Sequence, residues 1–360
     1  MPVKAKQKVV MGMSGGVDSS VAAMLLQEQG FEVIGVTMKL WHDSRYESIT
    51  EDNSADAKKI CDLLGIQHYT LDLADEFKKY VVDNFIECYA RALTPNPCVE
   101  CNKHLKFGAM FEFADKLGAE FVATGHYAKR CYDEKFGMQV IKKSNSLKKD
   151  QSYVLYVIKK EYVPRVLFPL GEFESKEQIR EIAAKNGFIS AKKPDSQEIC
   201  FIPDNDTAGF LDMYIKPRCG DILNKSGNVL GRHTGLAHYT IGQRKGLGIS
   251  APQPLFVTDI DAETNTVSVG SNSDLFSNVL YAENMNWLIF DDLKASLRAY
   301  AKIRYAAKEV PAQVIPCSGG KVKVVFDEPQ RAATPGQSVV FYINDCVIGG
   351  GIITKRKSQQ

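Results

Sequence analysis

Along the first 125 residues, short apolar runs alternate with stretches in which apolar positions recur every three or four residues. Val9 to Met13 is a run of strand length, and VAAMLLQEQG after Ser20 has helical spacing with a stop at Gly30. A second strand is expected from Phe31 to Met38. A polar stretch from His42 to Asn53 precedes a helix over Ala55 to Leu64, ended by Gly65, and HYTLDL reads as a third strand. Helices follow over Asp75 to Arg91 and Lys103 to Leu117, then a strand over Phe121 to Thr124 that runs into GHYA. Alternation of this kind predicts an α/β domain, a parallel sheet with helices on both faces. Ligands of such sheets sit beyond the carboxyl ends of the strands, so Gly12 to Ser20, Met38 and Gly125-His126 are expected to face one cleft.

From Arg130 the pattern changes. An inserted hairpin is expected, with Lys142, Lys143, Lys148 and Lys149 near its tip, then a helix beginning near Asp150. These lysines fit a solvated surface or a contact to a phosphate backbone. SKEQIREIAAKNG is a capped helix, with Ser175 as N-cap, Gln178 three residues on and Gly187 as the stop. Past Phe210 the chain is rich in glycine, basic residues and short strand-like pieces. One hairpin turns at Glu263 to Asn265, and the last pieces read as a small β-barrel. The domains expected are 1–209 catalytic, 210–280 a small β-rich middle domain and 281–360 a C-terminal β-barrel.

At 360 residues the chain exceeds one ordinary core. Lysine plus arginine number 45 against 43 acidic residues, a net +2, so a nucleic-acid surface has to be a local patch. With no run of 18 apolar residues and no basic-apolar leader, neither a membrane span nor secretion is expected. Nine cysteines, loosely spaced, favour a reduced cytoplasm.

The stretch SGGVDSS at Ser14 to Ser20 carries chemistry. Strand, glycine turn and helix start together put backbone N–H groups and the positive end of a helix around one volume, which favours phosphate. A dinucleotide fingerprint needs G-x-G-x-x-G and a mononucleotide P-loop needs a lysine after its glycines; Gly12, Gly15 and Gly16 fit neither. Ser14 and Ser19 add hydroxyl donors. Asp18 suits a metal-facing or loop-orienting group, or a plain cap. Met38 suits core filling or packing on an adenine ring, and Gly125 a turn or the close approach of a nucleotide.

Cysteines form the second constellation, in PNPCVECNK (Cys98, Cys101) and PDSQEICFI (Cys200). A C-x-x-C pair reads as half a zinc site, a redox dithiol or part of an iron–sulfur site. For zinc, His104 is the nearby candidate. Cys101 and Cys200 lie among polar residues and prolines, unlike core filler. The remaining cysteines, Cys61, Cys88, Cys131, Cys219, Cys317 and Cys346, read more simply as packing.

SGGVDSS resembles the pyrophosphate-binding loop of the ATP pyrophosphatase superfamily. Together with TPNPCVECNKHLKF, ATGHYA, KPDSQEICFI, GRHTGLAHYTIGQRKGLGI and PGQSVVFY, in that order, the chain resembles the tRNA-specific 2-thiouridylases over nearly its whole length. The resemblance implies sulfur transfer to C2 of the wobble uridine of tRNA, with ATP and Mg2+ held by Gly12, Met13, Ser14, Gly15, Gly16, Val17, Asp18, Ser19, Met38 and Gly125. It implies a persulfide on Cys200, Cys101 as its partner and a disulfide between them after transfer. Asn96, Pro97 and Cys98 would approach the target base. His126, Lys148, Lys149, Asp150, Gln151, Ser152, Arg304, Tyr305 and Gln337 would contact tRNA, of the lysine, glutamate and glutamine isoacceptors. A cysteine desulfurase or sulfur-relay protein would supply the persulfide. Some members carry aspartate where this chain has Cys98, which leaves a third thiol at the site, and an iron–sulfur cluster on Cys98, Cys101 and Cys200 is a further expectation. The rivals are another ATP pyrophosphatase acting on a small molecule, and a sulfur-relay or iron–sulfur scaffold that binds tRNA without modifying it.

Overall fold

The computed structural model describes residues 6–43, 52–192, 199–202 and 204–355. The chain divides into two compact units. One comprises Met1–Val81, Cys98–Phe201 and Asp345–Ile348, the other Val82–Pro97, Ile202–Asn344 and Gly349–Gln360.

The first unit is built on β1 (Lys8–Gly12), α1 (Val17–Glu28), β2 (Glu32–Lys39), α2 (Asp52–Leu64), β3 (Gln67–Asp72), β4 (Phe121–Ala123) and, later in the chain, Val166–Leu167. These strands form one sheet in the order β3-β2-β1-β4 and then Val166–Leu167, and every pairing is parallel. Val9, Val10 and Met11 of β1 are all fully buried, as a central strand covered on both faces requires. Val21, Ala22 and Leu26 of α1 and Ala57 and Ile60 of α2 pack against one face of that strand set. The strand order steps from β1 outward to β2 and β3, then returns to the far side of β1 for β4. The crevice between the ends of β1 and β4 is therefore the switch point where ligands of open α/β sheets bind.

The helical run expected from Asp75 consists of Ala74–Phe77 (α3), a π-helical Lys78–Asp83 and Asn84–Ala90 (α4). The run expected from Lys103 starts earlier, at Pro97: Pro97–Cys101 (α5), a π-helical Asn102–Ala109, then Met110–Lys116 (α6). Proline in the first turn lacks only an N–H that the helix would leave unpaired anyway.

The hairpin is present as β5 (Ala128–Asp133) and β6 (Met138–Lys143), antiparallel, but its lysines are not at the tip. The turn is 134–137; Lys142 and Lys143 end β6, and Lys148 and Lys149 lie beyond it. Lys142 is held by Asp133 at 2.9 Å, and its strand neighbour is Cys346. No α-helix begins at Asp150: a 3-10 turn, Ser152–Leu155, follows it. The Asp150 carboxylate accepts from Ser144 N, Ser152 N and Ser152 Oγ, and so folds the segment on itself. After β7 (Val166–Leu167), α7 (Lys176–Lys185) carries the expected capping box between Ser175 and Gln178.

The second unit opens its longer stretch with α8 (Thr207–Asp212), then β8 (Gly220–Leu223), β9 (Val229–His233), β10 (Phe256–Asp261) and β11 (Thr266–Gly270). These four strands form a sheet in the order β10-β11-β8-β9 around Ile222, Val257, Val267 and Val269. The strands β12 (Phe276–Trp287), β13 (Leu297–Lys302), β14 (Val310–Pro316), β15 (Val322–Arg331), β16 (Ser338–Ile343) and β17 (Cys346–Ile353) run in the order β12-β15-β14-β13-β16-β17, and β12 also pairs with β17. That last pairing closes the barrel and removes its edges. Among the described residues no helix is long and apolar enough to cross a membrane.

Candidate active site

At the end of β1 the chain is tied to β2: Met13 N donates to Val36 O at 2.7 Å, and Thr37 Oγ1 donates to Met13 O at 2.9 Å. Gly15 then turns with φ +70, in the left-handed region that glycine enters without strain. Ser14 and Ser19 close the loop on itself. Their hydroxyls lie 3.2 Å apart, Ser14 N and Gly16 N donate to the Ser19 and Ser14 oxygens, and Ser19 Oγ donates to Gly16 O. Gly16 is the N-cap of α1 and has no side chain to cap it. The first-turn N–H groups have no partner within the helix, so they are available to an anion.

β4 delivers Gly125 to the same place. A Cβ there would lie 3.0 Å from Asp18 C and from Ser19 N, so a side chain would fit only if the loop gave by a few tenths of an ångström. Asp18 is held at both carboxylate oxygens. Tyr127 OH donates to Oδ1 at 2.8 Å, and Lys176 Nζ donates to Oδ2 at 2.9 Å. Met38 is half-buried at the end of β2. The glycines, Ser14, Ser19, Asp18 and Gly125 of the sequence reading thus form one cradle.

His126 is 7% exposed, bonded through Nδ1 to Thr124 Oγ1 at 2.7 Å and edged by Phe107 and Phe168. Burial, with the Lys106 ammonium adding to it, holds its pKa well below 6.5. The imidazole is therefore neutral and internal. Gln151 exchanges hydrogen bonds with the Tyr127 backbone, and Asp150 and Ser152 are buried. Of the expected tRNA group in this unit, Lys148 is exposed and Lys149 half-buried.

Cys98 is exposed, Cys101 buried and Cys200 exposed, all three as free thiols. Burial raises the Cys101 pKa, the Cys98 charge adds to it, and Lys106 opposes both. Cys200 is pushed up to about 12 by desolvation, then by Cys101 and Cys98. Although part of Cys200 is open to solvent, its two thiol neighbours act in the same direction as burial. Cys101 and Cys200 thus both feel the charge of neighbouring thiols, and Lys106 is the cation that opposes the rise at each of the two. Residues 193–198 of KPDSQEICFI lie outside the described residues.

The metal readings of these cysteines are not supported. Among the described residues no group of three histidine, cysteine or acidic side chains could hold a metal ion. His104, the zinc candidate, instead stacks on Tyr80 at 4.2 Å and faces Glu100 at 3.4 Å.

In the second unit Asn96 and Pro97 are half-buried, Arg304 is half-buried and Tyr305 is 45% exposed. Gln337 Nε2 donates to Thr94 O and Pro95 O, and so holds the backbone that leads into Asn96-Pro97. The middle-domain histidines are engaged internally: His233 Nε2 lies 3.0 Å from Asn265 O, and His238 Nε2 lies 2.6 Å from Asp212 Oδ1. Lys176, Tyr127 and Lys106 are the functional candidates that sequence reasoning missed. Tyr127 lies inside the GHYA motif and Lys106 inside TPNPCVECNKHLKF, so both carried that signal; Lys176 stood out only as the first residue after the Ser175 cap.

Comparison with known proteins gives three consecutive family matches. The models are described as a tRNA methyl transferase HUP domain over residues 7–204, a tRNA methyl transferase PRC-barrel domain over 208–271 and an aminomethyltransferase beta-barrel domain over 277–353. The chain is 48% identical over 365 residues to tRNA-specific 2-thiouridylase MnmA 1 of Thermoanaerobacter sp. (strain X514), covering 98% of this chain and 100% of that one. It is 49% identical over 363 residues to tRNA-specific 2-thiouridylase MnmA 1 of Caldanaerobacter subterraneus subsp. tengcongensis, again covering 98% and 100%. Identity to the tRNA-specific 2-thiouridylase MnmA of Clostridioides difficile (strain 630) is 48% over 356 residues, covering 97% and 98%.

Proposed function

The chain belongs to the tRNA-specific 2-thiouridylase family, and from that premise we infer how its own residues carry out the reaction. It is an ATP-dependent tRNA-uridine 2-sulfurtransferase: C2–O of the wobble uridine is adenylated, the oxygen is replaced by sulfur, and AMP and pyrophosphate are released. The observation that carries the assignment of parts is the pairing, in one compact unit, of the uncapped α1 terminus behind Gly15-Gly16 with the thiols of Cys101 and Cys200.

In this reading residues 12–19 with Gly125 cradle the ATP phosphates, and Met38 packs on the adenine. The uridine O2 attacks the α-phosphorus and pyrophosphate leaves toward the first-turn N–H groups, where fixed dipoles meet the developing charge. Asp18, the one carboxylate of the loop, is the residue that would face a magnesium ion bound with the phosphates, and such an ion would neutralise part of their charge.

Sulfur arrives as a terminal persulfide on Cys200. In one path the Cys101 thiolate attacks the Cys200 sulfur, forming a disulfide and expelling hydrosulfide, which adds at C2 and displaces AMP. In the other the terminal sulfur attacks C2, AMP leaves, and Cys101 then attacks the Cys200 sulfur to free the thiouridine. Both end in a Cys101–Cys200 disulfide that a thiol reductant must reopen. Lys106 favours the thiolate form that either path needs. Asn96, Pro97 and Cys98 form the base-facing segment, backed by Gln337. Lys148, Lys149, Arg304 and Tyr305 supply charge and a stacking face to the tRNA, with His126, Asp150, Gln151 and Ser152 shaping the surface from beneath.

The tRNA partners are the lysine, glutamate and glutamine isoacceptors, the persulfide comes from a desulfurase or relay protein, and the work is cytoplasmic. Purified protein given tRNA, ATP, Mg2+ and a persulfide donor should yield 2-thiouridine with one AMP per product, measured by nucleoside mass spectrometry. Cys101→Ser and Cys200→Ser should each abolish it. Intact protein that forms no AMP with unmodified tRNA would sink the reading.

A further inference from the structure

A mononucleotide P-loop carries its own lysine immediately after the glycines, whereas Gly15-Gly16 is followed by Val17 and Asp18. A lysine reaches this loop all the same, from 158 residues along the chain: Lys176 Nζ lies 2.9 Å from Asp18 Oδ2. Its side chain is only 11% exposed, so the ammonium is part of the wall and not a surface charge in bulk water. Its backbone is fixed as well, since Lys176 is the first residue of α7 behind the Ser175–Gln178 capping box.

Asp18 is equally constrained. It sits in the first turn of α1, Tyr127 OH occupies its other oxygen, and Gly125 presses on its backbone. A carboxylate beside the phosphates would by itself repel them. Paired with a fixed ammonium, it becomes a holder for a cation.

We infer that Lys176 is a phosphate-binding residue of the ATP site, held beside the loop by Asp18 and taking the charge of the departing pyrophosphate. This rests on the ATP reading of the loop given above. Helix N–H groups supply partial charges at fixed points, while a lysine ammonium supplies a full charge that can shift from carboxylate to phosphate by a small side-chain movement. The same movement would strip Asp18 of one partner and free an oxygen to face the metal that accompanies the nucleotide.

The test is calorimetric titration of the full chain with pyrophosphate and with α,β-methylene ATP. Lys176→Met should weaken both by about tenfold or more, while Lys176→Arg, which keeps the charge, should stay within about threefold of the parent. Binding by Lys176→Met equal to the parent, with only its melting temperature lowered, would make Lys176 a structural clamp and overturn the inference. Should the Met variant not fold, the unaltered protein can be labelled with adenosine triphosphopyridoxal. Its aldehyde condenses with a neighbouring amine with loss of water, and borohydride reduces the imine. ATP-protected label on Lys176 supports the inference, and ATP-protected label on a different lysine overturns it. If the parent forms no AMP from ATP, the ATP reading itself fails; AMP formation together with unaltered binding by Lys176→Met refutes only the role of Lys176.

Discussion

Gly125 and Ser19 approach so closely that a Cβ on the first would stand 3.0 Å from the backbone nitrogen of the second. Two crossover connections of the sheet meet there, and the bare glycine backbone is what lets them meet. Gly125→Ala must therefore push the loop and the start of α1 aside. A loss of about 1 kcal/mol of stability is expected, together with weaker ATP binding, because the backbone that has to give by a few tenths of an ångström is that of the phosphate-facing loop. Chemical denaturation and ATP titration would check both, and an Ala variant with the parent's ATP affinity would separate this close approach from the nucleotide site.

The thiols of the free protein should react slowly at neutral pH. Cys200 is pushed up to about 12 and Cys101 is raised above 9.0, so the thiolate fraction of each still climbs as pH rises from 7 to 9. Alkylation of both, followed by peptide mass spectrometry, should accelerate about tenfold per pH unit over that range without levelling. A plateau by pH 8 would mean that one of them is already ionised and that Lys106 outweighs burial.

His126 predicts a loss of stability in acid. Its folded pKa lies well below 6.5, so the unfolded chain binds the extra proton first. The contribution is complete above about pH 6.5 and fades as pH falls toward the folded value, by up to about 1.4 kcal/mol per unit. Comparing urea unfolding of the parent and His126→Gln at pH 7 and pH 5 should show the shallower acid loss in the variant. An imidazole that titrates near 6.5 by NMR would contradict the buried, neutral assignment.

Reversing Lys148 and Lys149 to glutamate should weaken tRNA binding and flatten its dependence on salt, since every phosphate that a lysine neutralises adds to the steepness with which affinity falls as salt is raised. Filter binding at two ionic strengths would measure it. Unchanged affinity and slope would return the pair to ordinary surface.

The turns and strands of the nucleotide unit were legible because their signals are local. β1 is a run of fully buried apolar residues, Gly15 and Gly65 stand where φ is +70 and +65, and the capping box at Ser175 and Gln178 needs only four consecutive residues. Helix starts fared worse. α5 begins at Pro97 in a polar stretch without helical apolar spacing, and the i→i+5 turns over 78–83 and 102–109 leave no mark in composition.

By itself the amino-acid order determined which segments become strands, where phosphate can be cradled and which two thiols stand out, because spacing, glycine and polar flanks act over a few neighbouring residues. Folding alone decided that His126 turns inward to Thr124, that Asp150 and Ser152 bond to their own turn, and that Lys176 reaches Asp18 across 158 residues. Those outcomes depend on which surfaces the parallel sheet brings together and buries. Desolvation and charge pairing are set by neighbours in space, and the chain order does not state them.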